Sequence, residues 1–519
     1  MDEALDLQQE NAQLKALLLA QREQLLTQGK QLTQLQQQVQ ALEELLRQFR
    51  HQQFAARSEK LLAGQLSLEL FNEAEVDSTD AIEEAETASI DVPEHTRRRR
   101  PRISIPENYP RETILYTLPS DEQHCPHDGT PLKAIGTEDH EQLEIVPAQV
   151  RVIRHARQKY TCPCCEQYHV TASKPKQPIE KSIASPGLLA HIATQKYCDA
   201  LPLYRQTAIF KRAGIALERT NLANWMIRCG QLIQPMINLL QDHLLALPVL
   251  HLDETGVQVL KEPDKTAQSG SYMWVMGHFT EQPAVVFRYA PGRGKTIPLE
   301  LLTPDVGVIM VDGYSGYDAA CTDYAIIRLG CWAHARRYLV TAKKLQKVGK
   351  AGKADQGLAY IQKLYALERT LKDKPPDERY QQRQAVAIPI IEKLRQWLEK
   401  SLPQALPNSA IGKALTYLKN QWARLIRYVD DGRYPIDNNP AENAIRPFTI
   451  GRKNWLFANS QAGANASANL YSLVETAKAN GLNPYAYLKH LFTELPNADG
   501  IEAFEQLLPW NVSKEHLLF

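Results

Sequence analysis

The sequence predicts a multidomain α+β protein, with a coiled coil and a small zinc-ribbon-like domain ahead of an α/β body that carries an all-helical insertion. Three observations predict it. A heptad repeat runs through residues 4–53, cysteine knuckles lie near 125 and 162, and apolar strand-like runs alternate with helix-like segments from residue 247 onward. A chain of 519 residues can hold several domains and a large core.

The first element, residues 1–70, is the coiled coil. Ala4, Asn11, Leu18, Leu25, Leu32, Val39 and Leu46 occupy one seam position, and Leu7, Leu14, Gln21, Gln28, Leu35, Leu42 and Phe49 the other. Alternating steps of three and four keep this seam on one face, which predicts self-association into a homo-oligomer. Asn11 favours one register and two strands, while Gln21, Gln28 and Gly29 weaken the middle. The competing reading is a helix packed on its own chain.

Residues 71–102 read as an acidic disordered linker ending in the run Arg97–Arg100. Charge is distributed unevenly. Residues 1–96 hold 7 Lys/Arg against 18 Asp/Glu, a net −11, and the remainder 53 against 41, a net +12. A basic body suits a polyanion, though so mild a charge is also ordinary solubilising surface. The acidic, Gln-rich N-terminus is no signal peptide and no apolar run reaches the ~18 residues of a membrane span, so a cytosolic protein is expected.

Residues 103–172 form the zinc-finger-like domain. Cys125-Pro-His-Asp128 is followed, 37 residues after Cys125, by Cys162-Pro-Cys-Cys165. Facing knuckles of this kind suit zinc in a reducing compartment. The first knuckle has Asp128 where a second cysteine belongs, and Asp is a weaker zinc ligand than thiolate. His127, His169 and Cys164 are substitutes, and a metal-free version of the same small fold is the alternative.

Residues 186–247 read as helices. Leu203–Lys211, the turn at Ala213-Gly214, and a second helix starting at Thr220 resemble a helix-turn-helix, although any helical hairpin gives that pattern.

Residues 248–460 read as a ribonuclease-H-like core. Val249–Asp253 and Val257–Leu260 flank a turn at Gly256, then Tyr272–Phe279 and Ala284–Tyr289 continue a meander. Val306–Val311 is apolar throughout, as in a strand buried on both faces, and Ala325–Gly330 leads into a helix at Cys331–Tyr338. Antiparallel strands followed by strands alternating with helices give the ribonuclease-H-like order. Residues 342–430 are the helical insertion, and 461–519 a C-terminal helical domain.

Three acids in this core suit metal-assisted phosphoryl transfer. Asp253 and Asp312 lie at strand ends, where sites of open α/β sheets gather. Glu442 opens a late helix. Its bland reading is a capping box with Asn439 as N-cap and Pro440 first, or an ion pair with Arg446 one turn on. Taken as a set, three carboxylates are hard ligands for two divalent cations, Mg²⁺ or Mn²⁺, with Asp253 as the bridging ligand. Arg446, Arg452 and Lys453 are candidate phosphate grips. Rival motifs fail. Tyr289 stands where a P-loop's first glycine belongs, and no aspartic-protease triplet or Gly-x-Ser-x-Gly elbow occurs.

Several long motifs, in order, resemble the transposases of insertion-sequence-66-type bacterial mobile elements. They are Ala184-Ser-Pro-Gly-Leu-Leu-Ala-His191, Leu201-Pro-Leu-Tyr-Arg205, Leu222-Ala-Asn-Trp225, His251-Leu-Asp-Glu-Thr255, Val311-Asp-Gly-Tyr314, Gly330-Cys-Trp-Ala-His-Ala-Arg-Arg337, Asp437–Phe457 and Leu507-Leu-Pro-Trp510. The resemblance covers nearly the whole chain. It implies a leucine-zipper-like region, a zinc-finger-like domain, an Asp-Asp-Glu catalytic core and a C-terminal domain. By that resemblance Asp253, Asp312 and Glu442 are the catalytic triad, and the four-cysteine finger maps onto Cys125, Asp128, Cys162 and Cys165, with Asp128 departing from the pattern. The expected activity is metal-dependent DNA cleavage and strand transfer at element ends, with smaller companion proteins of the same element as partners. A decayed DNA-binding copy and a nuclease on the same core are the alternatives.

Overall fold

The computed structural model describes residues 150–161, 169–266, 269–345, 352–513 and 517, with a discontinuous set between residues 14 and 142. The chain divides into two compact units, residues 1–58 with 156–519, and residues 59–155. The described residues of the 59–155 unit are extended or irregular. Cys125, Asp128, Cys162 and Cys165 lie outside the described residues, as does the whole acidic linker, residues 71–102.

Between residues 14 and 49 every described residue is helical. The seam residues Leu14, Leu18, Leu25, Leu32, Leu35, Val39, Leu42, Leu46 and Phe49 are all more than half exposed. The reading of a helix packed on its own chain therefore finds no support at these positions.

Strands β1 (Lys159–Thr161) and β2 (His169–Thr171) form a small antiparallel ribbon. Four helices follow, α1 (Pro186–Tyr197), α2 (Leu203–Arg212), α3 (Arg219–Leu232) and α4 (Gln234–Leu245). The Ser185 hydroxyl accepts the Leu188 N–H, and Pro186 takes the first helical position, which fixes the start of α1. Helix α3 starts at Arg219, one residue before the expected Thr220, with no side-chain cap.

The central sheet holds β3 (Val249–Lys261), β4 (Gly270–His278), β5 (Ala284–Ala290), β6 (Val308–Val311) and β7 (Ile327–Gly330), in the spatial order β5-β4-β3-β6-β7. The first three are antiparallel and β6 and β7 run parallel to β3. A short strand β8 (Ala458–Ser460) pairs with the far end of β3. The expected turn at Gly256 is a correction: β3 is one continuous strand, and Gly256 pairs with Tyr272 inside it. Long cross-strand pairing on β4 overrides the glycine's turn preference.

Leu250, Leu252, Ile309 and Val311 face the main core, while Val249, Val308, Met310 and Leu329 form a smaller cluster on the opposite face. Between β5 and β7 lie the short helices α5 (Thr296–Leu301) and α6 (Asp318–Asp323). After β7 come α7 (Trp332–Leu345) and the insertion helices α8 (Lys353–Thr370), α9 (Pro376–Gln382), α10 (Ile388–Ser401) and α11 (Ala410–Leu425). Arg383, a buried residue of the insertion, forks onto Glu368 at 2.9 and 2.7 Å and donates to the carbonyls of Tyr428 and Asp431, tying the insertion to the returning chain.

The chain re-enters the core with α12 (Asn439–Trp455) and ends in α13 (Gln461–Ala479), α14 (Pro484–Glu494) and α15 (Ile501–Gln506). Helix α13 closes the sheet edge. Ser472 accepts the Phe287 N–H, and Thr476 accepts the N–H of Val285 and donates to its carbonyl, so the outer backbone of β5 is paired rather than open.

Candidate active site

Strand register places the first two acids. The parallel pairs Leu250↔Ile309 and His251↔Met310, and Met310↔Leu329 beyond them, extend by two residues to Asp253, Asp312 and Cys331 at one level. Period two puts all three on the face of Val249, Val308 and Leu329. Asp253 is not at a strand end, since it pairs with Val275 of β4; what ends beside it is the parallel ladder. That is the carboxyl edge where open sheets gather their sites. Asp312 Oδ1 accepts the Tyr314 N–H at 2.9 Å, closing an Asx turn after β6. Gly313 in that turn lets the insertion in, because a Cβ there would lie 3.0 Å from the Tyr417 ring.

A buried polar staple aims the third acid. Asn438 donates to the Leu252 carbonyl at 2.8 Å, accepts from His251 Nδ1 at 3.0 Å, and gives its own N–H to Cys331 Sγ at 3.2 Å. Asp437 accepts from Tyr365 and from Asn439. The start of α12 is thereby bound to β3, to the end of β7 and to the insertion at once. Burial pushes His251 down to about 4, so it stays neutral and donates from Nδ1.

The capping box expected for Glu442 is not formed. The N-cap is Asn438, whose side chain is taken up by β3, and no side-chain cap bond exists. Glu442 instead accepts from Arg337 Nη2 at 2.8 Å and approaches His334 Nδ1 at 3.4 Å, both on α7. The His334 contact lacks hydrogen-bond geometry, which leaves Glu442 Oε1 and His334 Nδ1 as buried polar atoms without a hydrogen bond. Cys331 Sγ, His334 and Glu442 lie within 4.8 Å of one another. Burial holds the Cys331 thiol far above its usual range and its sulfur already takes the Asn438 N–H, so this trio offers chiefly a carboxylate and an imidazole.

Electrostatics tie the three acids together. The Asp253 carboxyl is pushed well above the ordinary range by burial and then by the charges of Glu254, Glu442 and Asp312. Glu254 is neutralised separately. Arg293 donates to its Oε1 from Nε at 2.7 Å and from Nη2, Tyr317 donates to its Oε2, and the Arg293 guanidinium stacks 3.8 Å from the Tyr314 ring centre. Among the described residues no ion pair reaches Asp253.

The predicted basic residues line the same helix. Arg446 is half-buried one turn after Glu442, and Arg452 donates to Thr255 Oγ1 at 3.2 Å, two residues along β3 from Asp253. Lys453 is exposed, ~16 Å along the helix axis from Glu442. Sequence reasoning missed His334, Arg337, Glu254 and Arg293 as site residues. A signal existed for two of them: His334 and Arg337 stand three apart on a helix that begins where the strand next to Asp312 ends.

The helix-turn-helix expectation is met only as geometry. Gly214 carries φ +82° between α2 and α3, but α3 buries Leu222, Trp225, Met226 and Cys229, and a Cβ on Gly230 would lie 2.6 Å from Ala466 Cα in α13. Helix α3 is thus a packed element of the body.

Comparison with known proteins covers most of the chain. Residues 181–466 match the model described as "Transposase IS66 family", and 472–510 the "IS66 C-terminal element". Residues 122–166 match the "zinc-finger binding domain of transposase IS66", and 41–114 the "Transposase C of IS166 homeodomain". Among similar proteins, the uncharacterized protein y4qI of Sinorhizobium fredii is 31% identical over 91% of this chain and 88% of its own length. The uncharacterized protein y4hP of the same organism is 28% identical over 90% and 87%.

Proposed function

The chain belongs to the IS66 transposase family, and from that premise we propose that it cuts and joins DNA at the ends of an insertion sequence, using Asp253, Asp312 and Glu442 on a ribonuclease-H-like core. The observation that supports this reading is the Asp253 carboxyl on β3, raised by burial and then by the nearby charges of Glu254, Glu442 on α12 and Asp312 after β6. The sheet order, three antiparallel strands then two parallel ones, supports the core assignment.

The donor set fits hard divalent cations, Mg²⁺ or Mn²⁺. It supplies carboxylate oxygens, a crowded negative charge around Asp253, and, among the described residues, a buried Glu442 Oε1 with no hydrogen bond. Asp253, Asp312 and Glu442 are the residues that would hold these cations. Two such ions, when bound, would activate water or a 3′ hydroxyl and stabilise the leaving oxygen. The chain's own residues do the rest. Arg337 holds Glu442 from behind, the Asn438 staple fixes the approach of α12 to β3, and Arg446 and Arg452 stand where a phosphate beside the acids would be gripped, with Lys453 further along the same backbone path. Zinc at Cys125, Asp128, Cys162 and Cys165 is proposed on the donor chemistry alone, three thiols and a carboxylate at finger spacing. The exposed heptad seam supports pairing of two chains, which would hold two element ends together. DNA is the expected partner, with companion proteins of the element assisting, in the bacterial cytoplasm and nucleoid.

The test is incubation of the chain with duplex carrying the element's terminal repeats and Mg²⁺. Joined products are expected. Cut products without joining would mark a nuclease, and binding without either a decayed copy. Asp312→Asn should lose both reactions, by at least about 10³-fold, while still binding DNA.

A further inference from the structure

Helix α12 does not end in an ordinary cap. Its last residue, Trp455, is anchored: the ring packs edge-on against Phe448 at 5.3 Å with Lys196 at 5.4 Å, and Asn454 donates to the Ala200 carbonyl. Leu456 then adopts φ +67°, ψ −53°, and the Phe457 N–H bonds back to the Trp455 carbonyl at 2.8 Å. This is the rare γ-turn of positive φ, a strained conformation for a branched side chain. The strain presents apolar surface to solvent, with Leu456 62% and Phe457 41% exposed. Arg452, Lys453 and Asn454 precede the turn directly. Burial would explain strain around leucine and phenylalanine; exposure beside cations calls for a polyanionic partner with an apolar interior.

We propose that Leu456 and Phe457 form a wedge that enters the stack of duplex DNA about six base pairs from the phosphate that would react beside the three acids. The proposal rests on the transposase reading above. Two rulers give the spacing. From Glu442 to Leu456 is 14 residues of helix, ~21 Å. From Asp253 to Val259, where β8 returns to β3 beside the wedge, is six residues of strand, ~20 Å. At ~3.4 Å per base step, each is about six steps. Arg446, Arg452 and Lys453 lie between the acids and the wedge, as a phosphate track would require. Apolar side chains that part a base step beside backbone-binding cations are an established way to bend or open a duplex. Opening there would loosen the end that the acids must reach.

The experiment uses the full chain with terminal-repeat duplex in Ca²⁺, and 2-aminopurine walked one position at a time through ten base pairs either side of the cut. A fluorescence rise of about threefold or more is expected, confined to positions five to seven. It should be lost in Leu456→Ser and Phe457→Ser. Leu456→Gly removes the strain, so it should melt no lower than wild type while still losing the signal, which separates the wedge from a folding defect. In Mg²⁺, a two-base mismatch at the same positions should restore cutting by Phe457→Ser. A wild type that cuts normally with no signal at any position overturns the wedge. So does a variant that keeps the signal but changes oligomeric state, which would make this tip a contact between chains. A wild type that neither cuts nor joins end DNA overturns the transposase reading itself.

Discussion

Replacing Asp253 with Asn should stabilise the metal-free protein and remove its response to magnesium. Adjacent strands lie ~4.8 Å apart, and the β3–β6 register carried two residues past its last pair puts the backbones of Asp253 and Asp312 at one level, about 5 Å apart. At an effective dielectric of about 20 a pair of charges at that spacing repels by about 3 kcal/mol, and in water by less than about 1. The site is half-buried, so relief of about 1–2 kcal/mol is expected at pH 8. With ~2.1 cal/mol/K per residue over the folded body, that is roughly 2 °C in Tm. The sign follows from the raised carboxyl. Its folded-state value lies above the unfolded 3.8, so the folded chain holds this proton more tightly. The associated stability is full below the unfolded value and is lost as pH rises through the folded one. Asn cannot titrate, and its Oδ1 can still accept the Glu254 N–H. The variant's advantage should therefore be near zero at pH 4 and grow toward pH 8. Added Mg²⁺ offsets the difference: at ten times a Kd of about 1 mM it stabilises wild type by about 1.4 kcal/mol and leaves the variant unmoved. Thermal melts at pH 4–8 with and without 10 mM Mg²⁺ read all of this. A variant less stable than wild type at pH 8 without metal, or equal magnesium responses in both, would refute the shared-site argument.

Arg337→Ala should free Glu442 and lower the rate of end cutting about 10–100-fold without weakening DNA binding; it should also raise the His334 midpoint in NMR titration, since burial first and then the Arg337 charge hold it down against the Glu442 charge. Removing residues 1–60 should give a monomer by light scattering, and a persisting dimer would locate self-association elsewhere. Gly230→Ala should cost about 1–3 kcal/mol in denaturant melts, because the new Cβ meets Ala466 backbone at 2.6 Å; a neutral result would mean that α3 is free to swing toward DNA. Bound zinc near one ion per chain is expected by elemental assay, reduced when Cys162 is changed to Ser.

Much was legible in the sequence because it depends on short-range pattern. The helix within the heptad region, described between residues 14 and 49, the apolar run ending at Val311 and the helical character from residue 186 onward each follow from a few neighbouring residues. Where local signals competed with distant partners, the local reading failed. Gly256 reads as a turn, yet nine residues of β4 hold it in a strand. Asn439, Pro440 and Glu442 read as a capping box, yet His251 and the Leu252 carbonyl claim Asn438, and Arg337 claims Glu442.

The sequence by itself determined which acids are available and that two of them follow apolar β-forming residues. Only the tertiary structure brings them into electrostatic reach of one another. A register of three pairs between β3 and β6 leads Asp253 and Asp312 to one level, and a buried asparagine 185 residues beyond Asp253 docks the start of the Glu442 helix on β3. Alternation along a strand is an intrinsic property of the backbone, whereas register and docking angle are free energies of contacts between segments that no local pattern encodes.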